Sequence, residues 1–290
     1  MKQPFFTGVC TALVTPFANG KINYEMLEIL LDRQIEAGIE AVVLSGTTGE
    51  SATLSQEEKI ALFRYAKHYV EGQCKIIAGT GSNATAQAVK LSQAAEDAGA
   101  DGLLVVTPYY NKATPKGLIA HYLAIAAAVS IPVIAYNVPG RTGVDIPIPV
   151  YQTISQMPNI IGVKEAATDV AKVTKIRNAC GSDFAIWSGN DELTVPVIAL
   201  GGQGVISVTS NVAPTEMQAM AMAALDGDLD TAADLQGKLQ SLMDLMFCEV
   251  NPIPVKAALG ILGLDCGSCR MPLTGLSAEN LRKLEDFFHR

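Results

Sequence analysis

Histidine and tryptophan are scarce in this chain, three and one among 290 residues, and His68, His121 and His289 show no metal-ligand spacing. A histidine-built metal centre is therefore not expected. The six cysteines, Cys10, Cys74, Cys180, Cys248, Cys266 and Cys269, are scattered, and no secretory leader pattern precedes them. Ordinary thiols in a reducing, cytoplasmic setting are the expectation. Cys266 and Cys269 form a single C-x-x-C with no second pair and no histidine beside it, which is too little for zinc or redox chemistry. Basic residues are outnumbered, 21 against 29 acidic, and the net charge of −8 argues against a nucleic-acid partner or an anionic membrane surface. No long uninterrupted apolar run exists either. The nearest, "LIAHYLAIAAAVSIPVIAY", is broken by His121, Ser130 and Pro132 and reads as a helix, a turn and a strand. With 25 Gly and 14 Pro spread along the length there is no low-complexity tract, so a small molecule is the expected partner.

Hydrophobic residues make up 49% of the chain, enough for a large core. Short β-branched runs alternate with longer helical patterns. "GVCTALVTPF" precedes a helix from 23 to 37; "AVVL" precedes one opened by Ser55 and Glu58 as a capping box. "KIIAG" leads into 84–98, "GLLVVT" into 115–128, and "PVIAY" into 147–156. "IIGVK" leads into 169–179, "FAIWS" into 191–200, and "GVISV" into 214–225. Eight such units predict an α/β fold of the (β/α)8 TIM-barrel type over residues 1–226, with chemistry at the C-terminal strand ends. Three further helical segments, 228–247, 253–262 and 277–289, predict a C-terminal helical extension over 227–290.

The strand ends hold the candidate residues. The second strand runs into "SGTTGES", whose backbone amides and the hydroxyls of Thr47 and Thr48 suit an anion. The sixth ends on Lys164, and period two puts Ile160 and Gly162 on the Lys164 face with Glu165 opposite. Tyr136 ends the neighbouring fifth strand, close enough to meet Lys164. Read alone, Lys164 is a solvated strand end and Tyr136 a core tyrosine. Together at one rim they suggest a site. A dry barrel mouth favours the neutral form of a lysine, and a neutral amine can attack a keto carbon to form an imine that stores electrons for a neighbouring carbanion. No cofactor is then needed.

"GTTGE", "YNVPGRTG", "GVKEA", "GGQGVISVTSN" and "NPIPVKAAL", in that order over nearly the whole chain, closely resemble the dihydrodipicolinate synthase (4-hydroxy-tetrahydrodipicolinate synthase) family. That family lies within the pyruvate-dependent class I aldolases related to N-acetylneuraminate lyase. The resemblance implies condensation of pyruvate with L-aspartate 4-semialdehyde on the diaminopimelate route to lysine. It implies that Lys164 forms the Schiff base and that Tyr136, Thr47 and Tyr110 relay protons, with Tyr110 reaching into a neighbouring subunit. A dimer is then the smallest competent unit, and a homotetramer, a dimer of dimers, the usual assembly. Thr48 would hold the pyruvate carboxylate and Arg141 that of the semialdehyde, while Gly189 and Ile206 would line the pyruvate pocket. In lysine-inhibited relatives an allosteric cleft matches Ser51, Ala52, Gln56, Lys59, Asn83, Gln87 and Tyr109 here. Gln87 stands in place of a glutamate and Lys59 in place of a histidine, which predicts weak or absent inhibition by L-lysine. Three rivals remain in the sequence: another Schiff-base aldolase such as an N-acetylneuraminate or keto-deoxy sugar-acid lyase, a sugar-phosphate barrel using "GGQG", and a catalytically silent barrel. Arg141 argues against the first, the lack of a basic residue beside "GGQG" against the second, and Lys164 with Tyr136 and Thr47 against the third.

Overall fold

The computed structural model describes residues 4–289; residues 1–3 and 290, the outermost positions of the expected barrel and tail, lie outside the described residues. The chain forms strands β1 (Gly8–Ala12), β2 (Ala41–Leu44), β3 (Lys75–Gly79) and β4 (Gly102–Val106), then β5 (Val133–Asn137), β6 (Ile160–Glu165), β7 (Ala185–Ser188) and β8 (Gly204–Ser207). All eight pair in parallel, each with its sequence neighbour, and β8 closes on β1. Helices α1 (Tyr24–Glu36), α2 (Gln56–Tyr69), α3 (Thr85–Asp97) and α4 (Pro115–Ala127) follow the first four strands. Helices α5 (Ile148–Ile154), α6 (Ala171–Cys180), α7 (Thr194–Ala199) and α8 (Pro214–Leu225) follow the rest. The architecture is a (β/α)8 TIM barrel with a C-terminal helical extension.

Local chemistry explains the helix starts. Asn23 accepts the Met26 amide to cap α1, Thr114 caps α4, and Ser55 with Glu58 forms the reciprocal capping box that opens α2. Two differences from the sequence reading are local. A short helical turn, Pro139–Thr142, sits between β5 and α5, and the segment expected as a helix from 191 begins as a 3-10 turn over Asp191–Leu193 before α7.

Along the strands alternate residues face inward and outward. Cys10, Ala12, Val43, Ile77, Leu104, Ile134, Trp187 and Ile206 fill the barrel, and their strand neighbours join the layer under the helices. Phe6 stacks on Trp187 with ring centroids 4.5 Å apart, and the indole N–H donates to the Phe6 carbonyl at 3.3 Å. A buried ring of this size contributes about 2 kcal/mol or more.

Strand β6 departs from the expected alternation. Opposite β5 the register shifts, with Val133 beside Ile160 but Ile134 beside Gly162. The bulge sends Ile160 to the outer layer and brings Ile161 against the inner cluster, so Ile160 does not share the Lys164 face. Gly162 does face inward; a Cβ there would stand 2.3 Å from the Ala185 carbonyl oxygen.

The tail forms α9 (Leu229–Met246), α10 (Ile253–Ile261) and α11 (Ala278–Phe288). Helix α9 packs along α8, and Leu242, Met243, Val255, Leu259 and Leu284 join the same apolar cluster as the outer barrel layer. The extension shares the barrel's core. No described helix is long and apolar enough to cross a membrane.

Candidate active site

Parallel pairing of β5 and β6 sets Tyr136 directly beside Lys164. The Lys164 amine lies 4.7 Å from the centre of the Tyr136 ring, and the lysine is only 5% exposed. This amine–aromatic contact supplies polarisable surface where, among the described residues, no carboxylate pairs with Lys164.

Glu165, the next residue, points away from Lys164 into a buried network. One carboxylate oxygen accepts from the Asn137 amide at 2.7 Å and the Ala167 N–H at 2.8 Å. The other accepts from the Tyr151 hydroxyl at 2.7 Å and faces the Lys172 ammonium at 3.3 Å. Lys172 also pairs with Asp145, which receives a second bond from Asn137. Burial, then the Glu165 charge, pushes the Tyr151 phenol well above its usual range, so it stays a donor. The network clamps the ends of β5 and β6 one residue beyond Tyr136 and Lys164.

The turn after β2 is the second element. Ser45 and Glu50 both adopt left-handed backbone, at φ of 54° and 55°, folding Gly46–Gly49 into a tight loop. Thr15 donates to the Gly49 carbonyl at 2.7 Å. Buried Glu50 accepts from the Lys256 ammonium at 2.6 Å and the Arg270 backbone N–H at 2.8 Å, and Arg270 forks onto Glu58. The tail thus bolts down the turn that presents Thr47 and Thr48.

Asn251, which opens "NPIPVK", is a site residue that the sequence reading passed over. Its side chain donates to the Thr48 hydroxyl at 2.9 Å, and its carbonyl accepts from Arg141 at 3.3 Å. Its buried side-chain oxygen has no hydrogen-bond partner. The asparagine–proline pair ahead of a helix was the available signal, but nothing local connects it to Thr48, 203 positions away.

A cavity of about 470 Å3 opens at this rim, lined by Thr47, Tyr136 and Arg141 together with Ser51, Ala52, Gln56, Lys59, Gln87 and Tyr109. Thr47, Tyr136 and Arg141 therefore share one space with all the expected regulatory residues but Asn83. Lys164, Thr48 and Ile206 are buried and are not among its lining residues. Asn83 and Tyr110 stand outside the lining; Tyr110 is 90% exposed, with left-handed backbone at φ 70°. At Gly189 a Cβ would meet the Ala166 side chain at 2.5 Å, so the missing methyl makes room for the loop after β6.

Burial pushes the Cys266 and Cys269 thiols up to about 12 and about 11, keeping both protonated at neutral pH. Among the described residues no group of three or more His, Cys, Asp or Glu side chains is placed to hold a metal.

A buried lysine amine against a tyrosine ring, at the end of neighbouring strands of a (β/α)8 barrel, is the arrangement expected of a Schiff-base lyase. The family model described as the dihydrodipicolinate synthetase family matches residues 5–290, and the chain belongs to that family. It is 49% identical over 281 residues to the 4-hydroxy-tetrahydrodipicolinate synthase of Alkaliphilus oremlandii, covering 97% of each chain. It is similar to the crystal structure of dihydrodipicolinate synthase from Aquifex aeolicus, with a TM-score of 0.96 at 42% identity, covering 98% of this chain and 97% of that one. The lysine-bound structure of the enzyme from Cyanidioschyzon merolae gives a TM-score of 0.95 at 41% identity, covering 98% and 97%.

The Glu50–Lys256 pair is expected to hold the turn as a coupled unit. Glu50→Gln should cost about 3 kcal/mol in urea unfolding, because it strands a buried ammonium. In the double variant with Lys256→Met much of that loss should return. Strictly additive losses would contradict the coupling.

Proposed function

We propose that this chain condenses pyruvate with L-aspartate 4-semialdehyde through a Schiff base on Lys164, as the synthase of the diaminopimelate route. The observation that carries the reading is the buried Lys164 amine against Tyr136, beside a cavity whose rim holds Arg141. Lys164 Nζ attacks the pyruvate keto carbon, and loss of water leaves an imine. The imine acidifies the methyl group; its proton leaves, and the resulting enamine carbon bonds to the aldehyde carbon, whose oxygen takes up a proton. The product's own amine then attacks the imine carbon, closing the ring and releasing Lys164.

Tyr136 and Thr47 move these protons, with Tyr110 completing the relay from a neighbouring copy. Its nearly full exposure and left-handed backbone suit a side chain held out for a partner rather than one packed at home. Thr48 and the turn amides receive the pyruvate carboxylate. Arg141 receives the second carboxylate, for which its planar fork suits it. Asn251 positions both, tying Thr48 to the arginine. Ile206 serves as the apolar floor. Ser51, Ala52, Gln56, Lys59, Asn83, Gln87 and Tyr109 form a cleft poorly matched to L-lysine, since it offers the ligand's ammonium no free carboxylate.

A coupled assay with pyruvate and aspartate semialdehyde, run beside N-acetylneuraminate and keto-deoxy-gluconate cleavage, tests the assignment. Turnover of the sugar acids alone would overturn it. Borohydride reduction with pyruvate is expected to add a reduced pyruvyl group to Lys164, read by peptide mass; a label elsewhere rules out this nucleophile. Arg141→Ala should cut semialdehyde kcat/KM by about a hundredfold, the loss of a charge-assisted bidentate contact, while imine trapping persists. Equal damage to both steps would refute the role. Mixing inactive Tyr110→Phe with inactive Lys164→Ala subunits should restore activity, and no recovery after verified exchange would place the tyrosine elsewhere.

A further inference from the structure

The loop after β4 carries a cation that the assigned reaction does not use. Residues 109–112 include two left-handed positions, Tyr110 at φ 70° and Lys112 at φ 45°. Side chains with a Cβ disfavour that conformation, and it persists only where the surroundings impose it. Asn111, between them, supplies the restraint. Its backbone N–H donates to the Tyr109 carbonyl at 2.9 Å, and its side-chain amide donates to the Asn83 carbonyl at 2.8 Å. The reach of Tyr110 towards a neighbouring copy accounts for one of the two strained residues. Lys112 needs another reason.

The Lys112 side chain crosses Gly143. A Cβ at Gly143 would stand 3.3 Å from Lys112 Cε and 4.0 Å from its Nζ, so the bare backbone there gives the lysine stem its seat. Gly143, left-handed itself at φ 69°, closes the short turn Pro139–Thr142 that carries Arg141. Arg141 and Thr142 line the cavity and Lys112 does not, which places the ammonium at the outer margin of the mouth. Neither cation is neutralised. Asp145, two residues beyond Gly143, is engaged by Lys172, and Glu50, the carboxylate among the described lining residues, is held by Lys256 and the Arg270 amide. Among the described residues no ion pair forms at Lys112 or Arg141.

A charge at the rim of a pocket acts on ligands before they dock, because the low-dielectric walls concentrate its field in the opening. Its mark is on encounter and on salt dependence, not on the bound complex. Such help matters in a protein of net charge −8, which otherwise repels anions. Of the two substrates, pyruvate is the net anion; the semialdehyde carries an ammonium that balances its carboxylate. We propose that Lys112 is a guiding residue for pyruvate, its ammonium held over Gly143 so as to enrich small 2-oxo acid anions at the mouth and speed imine formation on Lys164 without touching the bound substrate. The inference rests on the synthase reading in taking Lys164 as the amine that pyruvate reaches.

The test follows imine formation rather than turnover. The full chain is mixed with sub-saturating pyruvate and quenched at timed intervals with excess borohydride, and the reduced pyruvyl group on Lys164 is read by peptide mass. At 0.01 M salt, where charges act over about 30 Å, Lys112→Gln should slow labelling about threefold and Lys112→Glu about tenfold, while Lys112→Arg keeps the native rate. In 1 M sodium chloride, where that range shrinks to about 3 Å, the variants and the native chain should converge. Saturating pyruvate should erase the differences as well. A loss in Lys112→Gln of the same size at both salt concentrations would make the lysine a loop anchor and overturn the proposal, as would native labelling by Lys112→Glu at low salt. Absence of the Lys164 label from the native chain would fell the Schiff-base reading and this inference with it, so the two failures are told apart by the native protein alone.

Discussion

Everything at the rim depends on how the Glu165 carboxylate is satisfied. A buried carboxylate without partners is costly enough to neutralise itself or leave the interior. Here both oxygens are saturated, by Asn137 from β5, Ala167 from its own loop, Tyr151 from α5 and Lys172 from α6. Because Glu165 ends β6 and its donors come from β5, the loop after β6 and both following helices, the ends of β5 and β6 cannot slide past one another without stranding a charge. Tyr136 and Lys164, one residue earlier on each strand, inherit that fixity. The stored cost of an ionised side chain thus becomes positional accuracy at a neighbouring amine, which proximity catalysis requires.

The tail plays the same part on the opposite wall. Glu50 is separated from Lys256 by 206 positions, yet the two meet at 2.6 Å beneath the Thr47–Thr48 turn. The Lys256 ammonium and the Arg270 guanidinium each lie 4.3 Å from the centre of the Phe17 ring. The cations are thereby spent on structure and do not crowd the cavity. Arg141 and Lys112 keep theirs available, and an acidic protein acquires a locally cationic mouth suited to carboxylate ligands.

Much of this was legible in the sequence for identifiable reasons. Apolar strand runs, turn residues and the Ser55–Glu58 box are local signals, and eight repeats of them leave few architectures. Placing Lys164 and Tyr136 together needed only the rule that successive parallel strands neighbour each other. What stayed hidden was non-local. The bulge at Ile160 and Ile161 is set by pairing with β5, so period two gave Ile160 the wrong face. Asn251 acquires meaning only when the tail folds back onto Thr48. The close approach of Ala166 to Gly189, from the loop after β6, is likewise a contact that a motif match does not reveal.

Ion pairs, rather than apolar contacts alone, join tail to turn, and the choice has a physical rationale. A buried pair contributes little net stability, because desolvation consumes most of the attraction, but a mismatched arrangement leaves a naked charge and is heavily penalised. Apolar side chains tolerate a shifted fit at modest cost. A turn proposed to meet a small carboxylate through its amides gains more from intolerance of displacement than from additional stability. The aliphatic contacts of α9, α10 and α11 with the barrel supply the affinity of the tail for its seat, and Glu50 with Lys256 and Arg270 supplies the register.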